Sequence, residues 1–245
     1  MPTERKHFFG FEVLSAENKT EKVQSVFSNV ATYYDLMNDV MSLGTHRLWK
    51  SQLIDLVAPE NHDLILDLAC GTGDLTRRVI ERSPNTNVIM CDLNWSMLKT
   101  GLKTIQSPFV STIQANAESL PFINELFSKS MIAFGIRNVT DVPKALSELY
   151  RTCKHQGKVF IMEFGIPASE PEKTISKAYL NHVLPLMGDM IAGDKASYDY
   201  LAKSIQKFPN NEQFQSMLYQ SGFSQVSITP ILFGAVNIFS ALKTK

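Results

Sequence analysis

From Leu64 to Phe164, short apolar runs alternate with stretches of helical period, and no other feature of the chain limits its fold as strongly. The runs cover residues 64–68, 88–91, 109–114, 129–134 and 158–164, and helices are predicted over 74–82, 95–105 and 141–153. Parallel strands need a crossover between them, usually helical, so this alternation predicts a parallel sheet covered by helices on both faces. Two further runs, 224–230 and 234–242, follow a helix predicted over 210–221. Too few residues join them for a crossover, so they should pair antiparallel at one edge of the sheet. The expected fold is α/β: a mostly parallel seven-stranded sheet with an antiparallel last strand.

The first apolar run empties into Ala69-Cys70-Gly71-Thr72-Gly73, a turn of small residues on whose backbone a ligand could press. Asp74 follows, placed either to accept from the free amides of the next helix or to face a cation. The second run ends in Asp92, about 20 residues beyond the turn, the position from which a carboxylate grips a ribose. A dinucleotide fingerprint would place a small residue where Thr76 stands; the frame acidic-x-G-x-G-x-G fits better, with Asp67, Ala69 in place of its first glycine, Gly71 and Gly73. Charge separates the two ligands. Acids beside a helix N-terminus oppose a pyrophosphate, whereas S-adenosylmethionine carries a sulfonium and an ammonium and no phosphate. The turn is therefore read as an S-adenosylmethionine cradle, and hydride transfer is disfavoured. After the third run, Asn116 and Ala117 are placed to reach the adenine; after the fourth, Arg137 and Asn138 fall at the strand ends where an open parallel sheet has its mouth.

Lys+Arg and Asp+Glu both number 24, so no global basic field argues for nucleic acid. Cys70, Cys91 and Cys153 lack metal-ligand spacing, are expected to be free thiols in a reducing compartment, and no metal is called for. The first residues lack the apolar core of a signal peptide, and the best apolar run, Val183 to Ala192, is interrupted by Pro185, Gly188 and Asp189. The chain is expected to be cytoplasmic, with contact at a membrane surface left open.

The 245 residues suit a single domain with two additions. Residues 1–60 should form a helical cover: loose and polar to residue 20, helical from Glu21 with Val23, Val26, Phe27, Val30 and Tyr34 on one face, and helical again over 45–57. Residues 165–208 interrupt the alternation with helical patterns at roughly 172–191 and 195–207, and read as an insertion or lid over the strand ends.

Three stretches carry a resemblance: Tyr34-Asp-Leu-Met-Asn-Asp-Val-Met-Ser-Leu-Gly-Thr-His-Arg-Leu-Trp49, Asp67-Leu-Ala-Cys-Gly-Thr-Gly-Asp-Leu-Thr76 and Phe134-Gly-Ile-Arg-Asn-Val-Thr-Asp141. With them the chain resembles, over nearly its whole length, the UbiE/MenG family of quinone-biosynthesis C-methyltransferases. The resemblance implies a Rossmann-like class I methyltransferase fold and methylation of a ring carbon of a polyprenylated quinol, a methoxy-polyprenyl-benzoquinol or a demethylmenaquinol. It also implies that Thr72, Asp92, Asn116, Ala117 and Ala133 line the cofactor site. Many relatives carry serine at the position of Ala133, and usually Lys-Pro-Gly-Gly where this chain has Lys154-His-Gln-Gly157; the second departure is expected to act on turn stability. A homodimer and a place in a quinone-biosynthesis complex stay open.

A quinol ring carbon becomes nucleophilic when an adjacent hydroxyl loses its proton, so the site needs a base or a cation that stabilises the phenolate. Arg137 is the first candidate for the cation, Asn138 for orienting a ligand beside it, and Tyr34 either for a hydrogen bond to the quinol or for packing on the preceding helix. His46 and His182 are candidate bases or structural residues, and Trp49 is core or pocket wall. Leu184, Leu186, Met187, Met190 and Ile191 either line a channel for the prenyl tail or pack the insertion. The competing classes are an O- or N-methyltransferase of another small molecule and a non-catalytic cofactor-binding scaffold.

Overall fold

The computed structural model describes residues 7–9, 12–30, 38–39, 42–187 and 195–244. A hairpin, β1 (His7–Phe9) and β2 (Glu12–Leu14), precedes helix α1 (Ala16–Val30). The helix starts five residues before the expected Glu21. Ser15 explains this: its hydroxyl accepts from the Asn18 amide and its carbonyl from the Lys19 amide, which caps the first turn. Helix α2 (His46–Val57) stops at Ala58, which turns left-handed just ahead of Pro59.

The central sheet is built from β3 (Leu64–Leu68), β4 (Asn87–Asp92), β5 (Val110–Gln114), β6 (Phe127–Ala133), β7 (Cys153–Phe164), β8 (Ser224–Ile231) and β9 (Val236–Leu242), in the order β5-β4-β3-β6-β7-β9-β8. The first five strands run parallel, and β9 lies antiparallel between β7 and β8. Helices α3 (Asp74–Arg82), α4 (Trp95–Leu102), α5 (Val142–Thr152) and α9 (Asn211–Gln220) complete the alternation. On one face Leu146, Leu149, Phe214 and Leu218 pack on Leu66, Ile132 and Phe239; on the other Leu53, Ile54, Leu75 and Val79 pack on Ile65, Met131 and Phe160. The strand order reverses between β3 and β6, which places a crevice at their carboxyl ends.

β7 starts five residues earlier than predicted. Cys153 pairs with Phe127, and the chain bulges through residues 154–157 before Lys158 pairs with Lys129. Within the bulge Gln156 sits at φ 60°, a left-handed conformation that favours glycine.

The insertion holds α6 (Glu172–Ala178), a π-helical turn Tyr179–Val183, α7 (Leu184–Met187) and α8 (Lys195–Lys207). The π turn has a cause. Pro185 has no amide to return to the carbonyl of Asn181, and the ring crowds the preceding turn, so the helix widens there. Leu180, Leu184, Tyr198, Leu201 and Ile205 form a small core of the insertion's own.

Candidate functional site

At the end of β3 the backbone curls through alternate left-handed residues, Ala69 (φ 53°), Gly71 (φ 57°) and Gly73 (φ 78°). The turn is fastened to β4, where the Cys70 amide donates to the Cys91 carbonyl and the Gly71 amide to Asp92 Oδ2 at 2.8 Å. Asp92 Oδ1 accepts from the Asn94 amide at 2.8 Å. Each oxygen keeps a lone pair for a ligand, and burial pushes the Asp92 carboxyl up despite these amides.

Small residues let neighbouring segments close on this turn. A Cβ on Gly101 of α4 would stand 2.7 Å from the Thr72 carbonyl oxygen, and one on Gly73 would lie 2.5 Å from Ile105 Cδ1. A Cβ on Gly135, just beyond β6, would lie 2.6 Å from the Ala69 Cβ.

Asp67 lies beneath the turn, fully buried. Its Oδ2 accepts from the Thr76 hydroxyl at 2.6 Å and the Thr76 amide at 3.1 Å, while Oδ1 has no partner. Burial pushes its carboxyl up to about 7. Asp67 thus engages the first turn of α3 from inside, leaving that helix end poorly suited to a phosphate. Asp74 does not cap α3, whose N-cap is Gly73 without a side-chain bond. Its carboxylate instead meets Lys50 Nζ at 2.8 Å and Arg78 Nε at 3.2 Å. These cations hold it below its ordinary value although burial pushes the other way. The alternative of Asp74 facing a cationic ligand is therefore replaced by a cross-link from α2 to α3.

A slot opens above the turn. Of the expected cofactor residues, Gly71, Asp92, Asn116, Ala117 and Ala133 line it, as does Asn138; Asp67, Thr72 and Gly73 do not line it. Among the described residues that line it, the only charged side chains are acidic, Asp92 and Glu118. A slot with two carboxylates and no lysine or arginine suits a cation and opposes a pyrophosphate.

Helix α1 roofs the slot with Thr20, Val23, Gln24 and Phe27, which the sequence did not single out as ligand contacts. Polar contacts hold the roof at both ends. Lys19 Nζ donates to the Val139 carbonyl at 2.7 Å and Thr20 pairs with Thr140 at 2.9 Å. At the other end Asn94 Nδ2 donates to Ser28 Oγ at 2.9 Å and to the Gln24 carbonyl at 3.1 Å.

A second cavity, of about 500 Å³, lies between α2, the insertion and the turn linking β8 to β9. Its walls are mostly apolar and include Trp49, Phe164, Tyr179, Leu180, Leu184, Ile205 and Val236. Leu43, Ile175, Leu232 and Phe233 line it yet are largely exposed, Phe233 at 78%. Of the expected channel residues only Leu184 lines this cavity; Leu186 is exposed, Met187 does not line it, and Met190 and Ile191 lie outside the described residues. Phe134, which lines the slot, stacks on Phe164, which lines the cavity, with centroids 4.4 Å apart, and the buried Trp49 ring abuts both.

Arg137 sits on the short 3₁₀ turn Ile136–Asn138 after β6 and lines neither space. Its Nη1 donates to Glu163 Oε1 at 2.7 Å and to the Phe134 carbonyl, and its guanidinium stands 5.4 Å from the Phe164 ring centroid. Both side chains are buried, 5% exposed for Arg137 and 0% for Glu163. The expectation that Arg137 faces the acceptor is revised to a buried ion pair supporting the 134–138 turn. Glu163, part of a continuous apolar strand run, gave no signal in the sequence. Asn138 accepts from the Tyr200 hydroxyl at 2.9 Å, a bond that ties α8 of the insertion to the slot. Tyr34 lies outside the described residues. His182 is exposed on the π turn, and His46 is buried at the start of α2.

Comparison with known proteins accords with this geometry. Among solved structures, a methyltransferase dependent on S-adenosylmethionine from Thermotoga maritima superposes with a TM-score of 0.65 at 17% identity, covering 89% of this chain and 99% of that one. A phosphoethanolamine N-methyltransferase of Haemonchus contortus, solved with S-adenosylmethionine, superposes with a TM-score of 0.61 at 16% identity, covering 80% of this chain and 52% of that one. These likenesses establish the fold as that of class I methyltransferases. In sequence the chain is 43% identical over 238 residues to the ubiquinone/menaquinone biosynthesis C-methyltransferase of Zymomonas mobilis, covering 96% of this chain and 98% of the relative. The like-named protein of Proteus mirabilis is 41% identical over 96% of both. The model of the ubiE/COQ5 methyltransferase family matches residues 15–243, and the chain belongs to that family.

Proposed function

We propose that this protein is an enzyme that methylates a ring carbon of a polyprenylated quinol, a methoxy-polyprenyl-benzoquinol or a demethylmenaquinol, in ubiquinone or menaquinone biosynthesis. S-adenosylmethionine is the cofactor, and when bound it supplies a methyl group on a sulfonium. The observation that carries the reading is the pairing of an acidic slot with a large apolar cavity across one stack of rings, Phe134 on Phe164.

In this reading Asp92 accepts from the ribose hydroxyls and residues 115–117 border the adenine. The Ala69–Gly73 backbone and the acidic lining favour the cationic end. Ala133 leaves the slot wall without a hydroxyl. Phe134, Phe164 and Trp49 exclude water from the space between methyl donor and acceptor. Arg137, held by Glu163, fixes the turn that presents Asn138, and Asn138 orients the ligand beside it. Tyr34 is proposed to reach the quinol from the N-terminal cover. The single-domain organisation, with residues 1–60 as cover and 165–208 as lid, belongs to the same proposal. A membrane surface is the proposed source of the acceptor. Supporting it is the exposed apolar rim of Leu43, Ile175, Leu232 and Phe233 at the cavity mouth, and no helix among the described residues is long and apolar enough to cross a bilayer.

The test supplies S-adenosylmethionine labelled in its methyl group with demethylated benzoquinols and naphthoquinols and locates the label by mass spectrometry and NMR. Label on a ring carbon is expected. Label on oxygen, or transfer only to amines or catechols, would replace the reading with another methyltransferase class, and binding without transfer to any acceptor would leave a scaffold.

A further inference from the structure

Helix α8 of the insertion carries a buried tyrosine that the insertion's own core does not use. Tyr198, Leu201, Ala202 and Ile205 recur at three- and four-residue steps and form the face that packs with Leu180 and Leu184. Tyr200 falls off that face, yet it is only 6% exposed. There α8 packs on the 3₁₀ turn Ile136–Asn138, and the Tyr200 hydroxyl donates to Asn138 Oδ1 at 2.9 Å. Phenylalanine would supply the same apolar volume, so packing alone does not account for the hydroxyl. Burial pushes the phenol up to about 12, so the hydroxyl keeps its hydrogen and can donate.

A side-chain amide accepts at its oxygen and donates at its nitrogen, and its neighbours decide which way it points. Beside Asn138 lies the Phe134 carbonyl, which can only accept, and Nδ2 donates to it at 3.4 Å. Carbonyl and hydroxyl agree: Oδ1 faces Tyr200 and Nδ2 faces Phe134. Nδ2 makes no other bond among the described residues, so its second N–H is left over, on a side chain that lines the slot. The ring of Phe134 belongs to the stack that divides slot from cavity, so this N–H stands close to where the two spaces meet. The charged side chains that line the slot, Asp92 and Glu118, are both acidic. An oxygen that gains negative charge there needs uncharged donors, and the Asn138 amide is one.

We propose that Tyr200 is a positioning residue for methyl transfer: by donating to Asn138 Oδ1 it turns the amide so that Nδ2 donates to the quinol oxygen as that oxygen becomes anionic. The assignment rests on the quinol reading above. The quinol hydroxyl releases its proton to solvent, and the electrons of the O–H bond pass into the ring. The ring carbon bonds to the methyl group, and the carbon–sulfur electrons stay on sulfur, which leaves as a neutral thioether. The methylated carbon then loses its hydrogen as a proton, and the oxygen regains one from solvent. One proton is released per turnover and no oxidant is needed. An amide turned the other way would set Oδ1 in the slot with Asp92 and Glu118 and oppose the charge on the quinol oxygen. The insertion is thereby part of the site, because α8 also gives Ile205 to the wall of the apolar cavity.

Tyr200→Phe keeps the ring and removes the hydroxyl. Its affinity for S-adenosylmethionine and its KM for the quinol should stay near wild type while kcat falls about tenfold, because the amide is free to turn. The rise of kcat with pH that reports ionisation of the bound quinol should move to higher pH, a change that lost packing would not cause. Asn138→Ala should lower kcat about 10²-fold, and Asn138→Asp, which accepts from Tyr200 but cannot donate, at least as far. The pair decides the matter. Tyr200→Phe added to Asn138→Ala should cost nothing more, since the hydroxyl acts through that amide. A further, additive loss in the double variant, or wild-type kcat in Tyr200→Phe, would overturn the proposal. So would weaker binding of S-adenosylmethionine with kcat unchanged, which would place the N–H on the carboxylate of the cofactor. Wild-type protein that methylates no quinol would sink the quinol reading itself, a failure seen without any variant.

Discussion

The slot and the cavity meet at one stack of rings but are built by opposite means. The slot is made of backbone: left-handed residues at 69, 71 and 73, an aspartate fastened by two amides, and glycines where segments cross. The cavity is made of side chains brought from α2, the insertion and the β8–β9 turn, and no one segment defines it. Backbone geometry tolerates few residue types, whereas an apolar wall can be assembled from many. The first space should therefore be sensitive to the identity of single residues, the second to volume and polarity.

Substitutions can break that contrast. Arg137→Ala should have the largest effect, because it leaves Glu163 buried without its cation. A loss of about 3–5 kcal/mol in chemical denaturation is expected, with both spaces disturbed and turnover reduced by orders of magnitude. Full stability would mean that the ion pair does not hold the boundary.

Asp92→Asn should act on the slot alone. It replaces a charged acceptor between two amides, and calorimetry should show about 1.5–3 kcal/mol weaker binding of S-adenosylmethionine, with KM for the quinol little changed. Ile175→Asp is the mirror case. Ile175 is exposed, so the fold should stand, but a charge at the apolar mouth should raise KM for long-tailed quinols about tenfold, some 1–2 kcal/mol, and spare tail-less ones. Equal effects of either variant on both ligands would erase the distinction between the two spaces.

Asp67 gives a pH signature. Its carboxyl rises from the ordinary 3.8 to about 7 on folding. The folded state thus binds the proton more tightly, so this group's contribution to stability is whole below about pH 4 and is lost as pH rises to about 7. Asp67→Asn should flatten the stability profile across that window. The smallest effect belongs to Gln156→Gly, which relieves a left-handed residue far from both spaces. A gain of about 0.5–1 kcal/mol with unchanged kinetics is expected, and any change in KM would show that the β7 bulge communicates with the site.

The sheet, its order of helices and the antiparallel last strand were legible because period and connection length are local properties of a sequence. So were Gly71, Asp92, Asn116 and Ala117, which follow strand ends at spacings that ligand geometry sets. The start of α1 does not show in the hydrophobic period, because Ser15 caps a first turn that precedes the apolar face beginning at Val23. Glu163 and Tyr200 could not be found that way. Glu163 is distinguished by an arginine 26 residues away, and Tyr200 by Asn138, 62 residues away.

Ala69 and Gly135 share room for a single methyl group. The Ala69 side chain fills the place where a side chain on Gly135 would have to stand. Two carbons there would wedge the β3 and β6 turns apart and widen the slot floor; none would leave a hole of methyl size. The motif position filled here by alanine and the glycine after Phe134 therefore form one packing unit, with room for one carbon between them but not for two. Among relatives the two positions should change together, and an alanine grafted at 135 should be tolerated only in a chain that has already given up its alanine at 69.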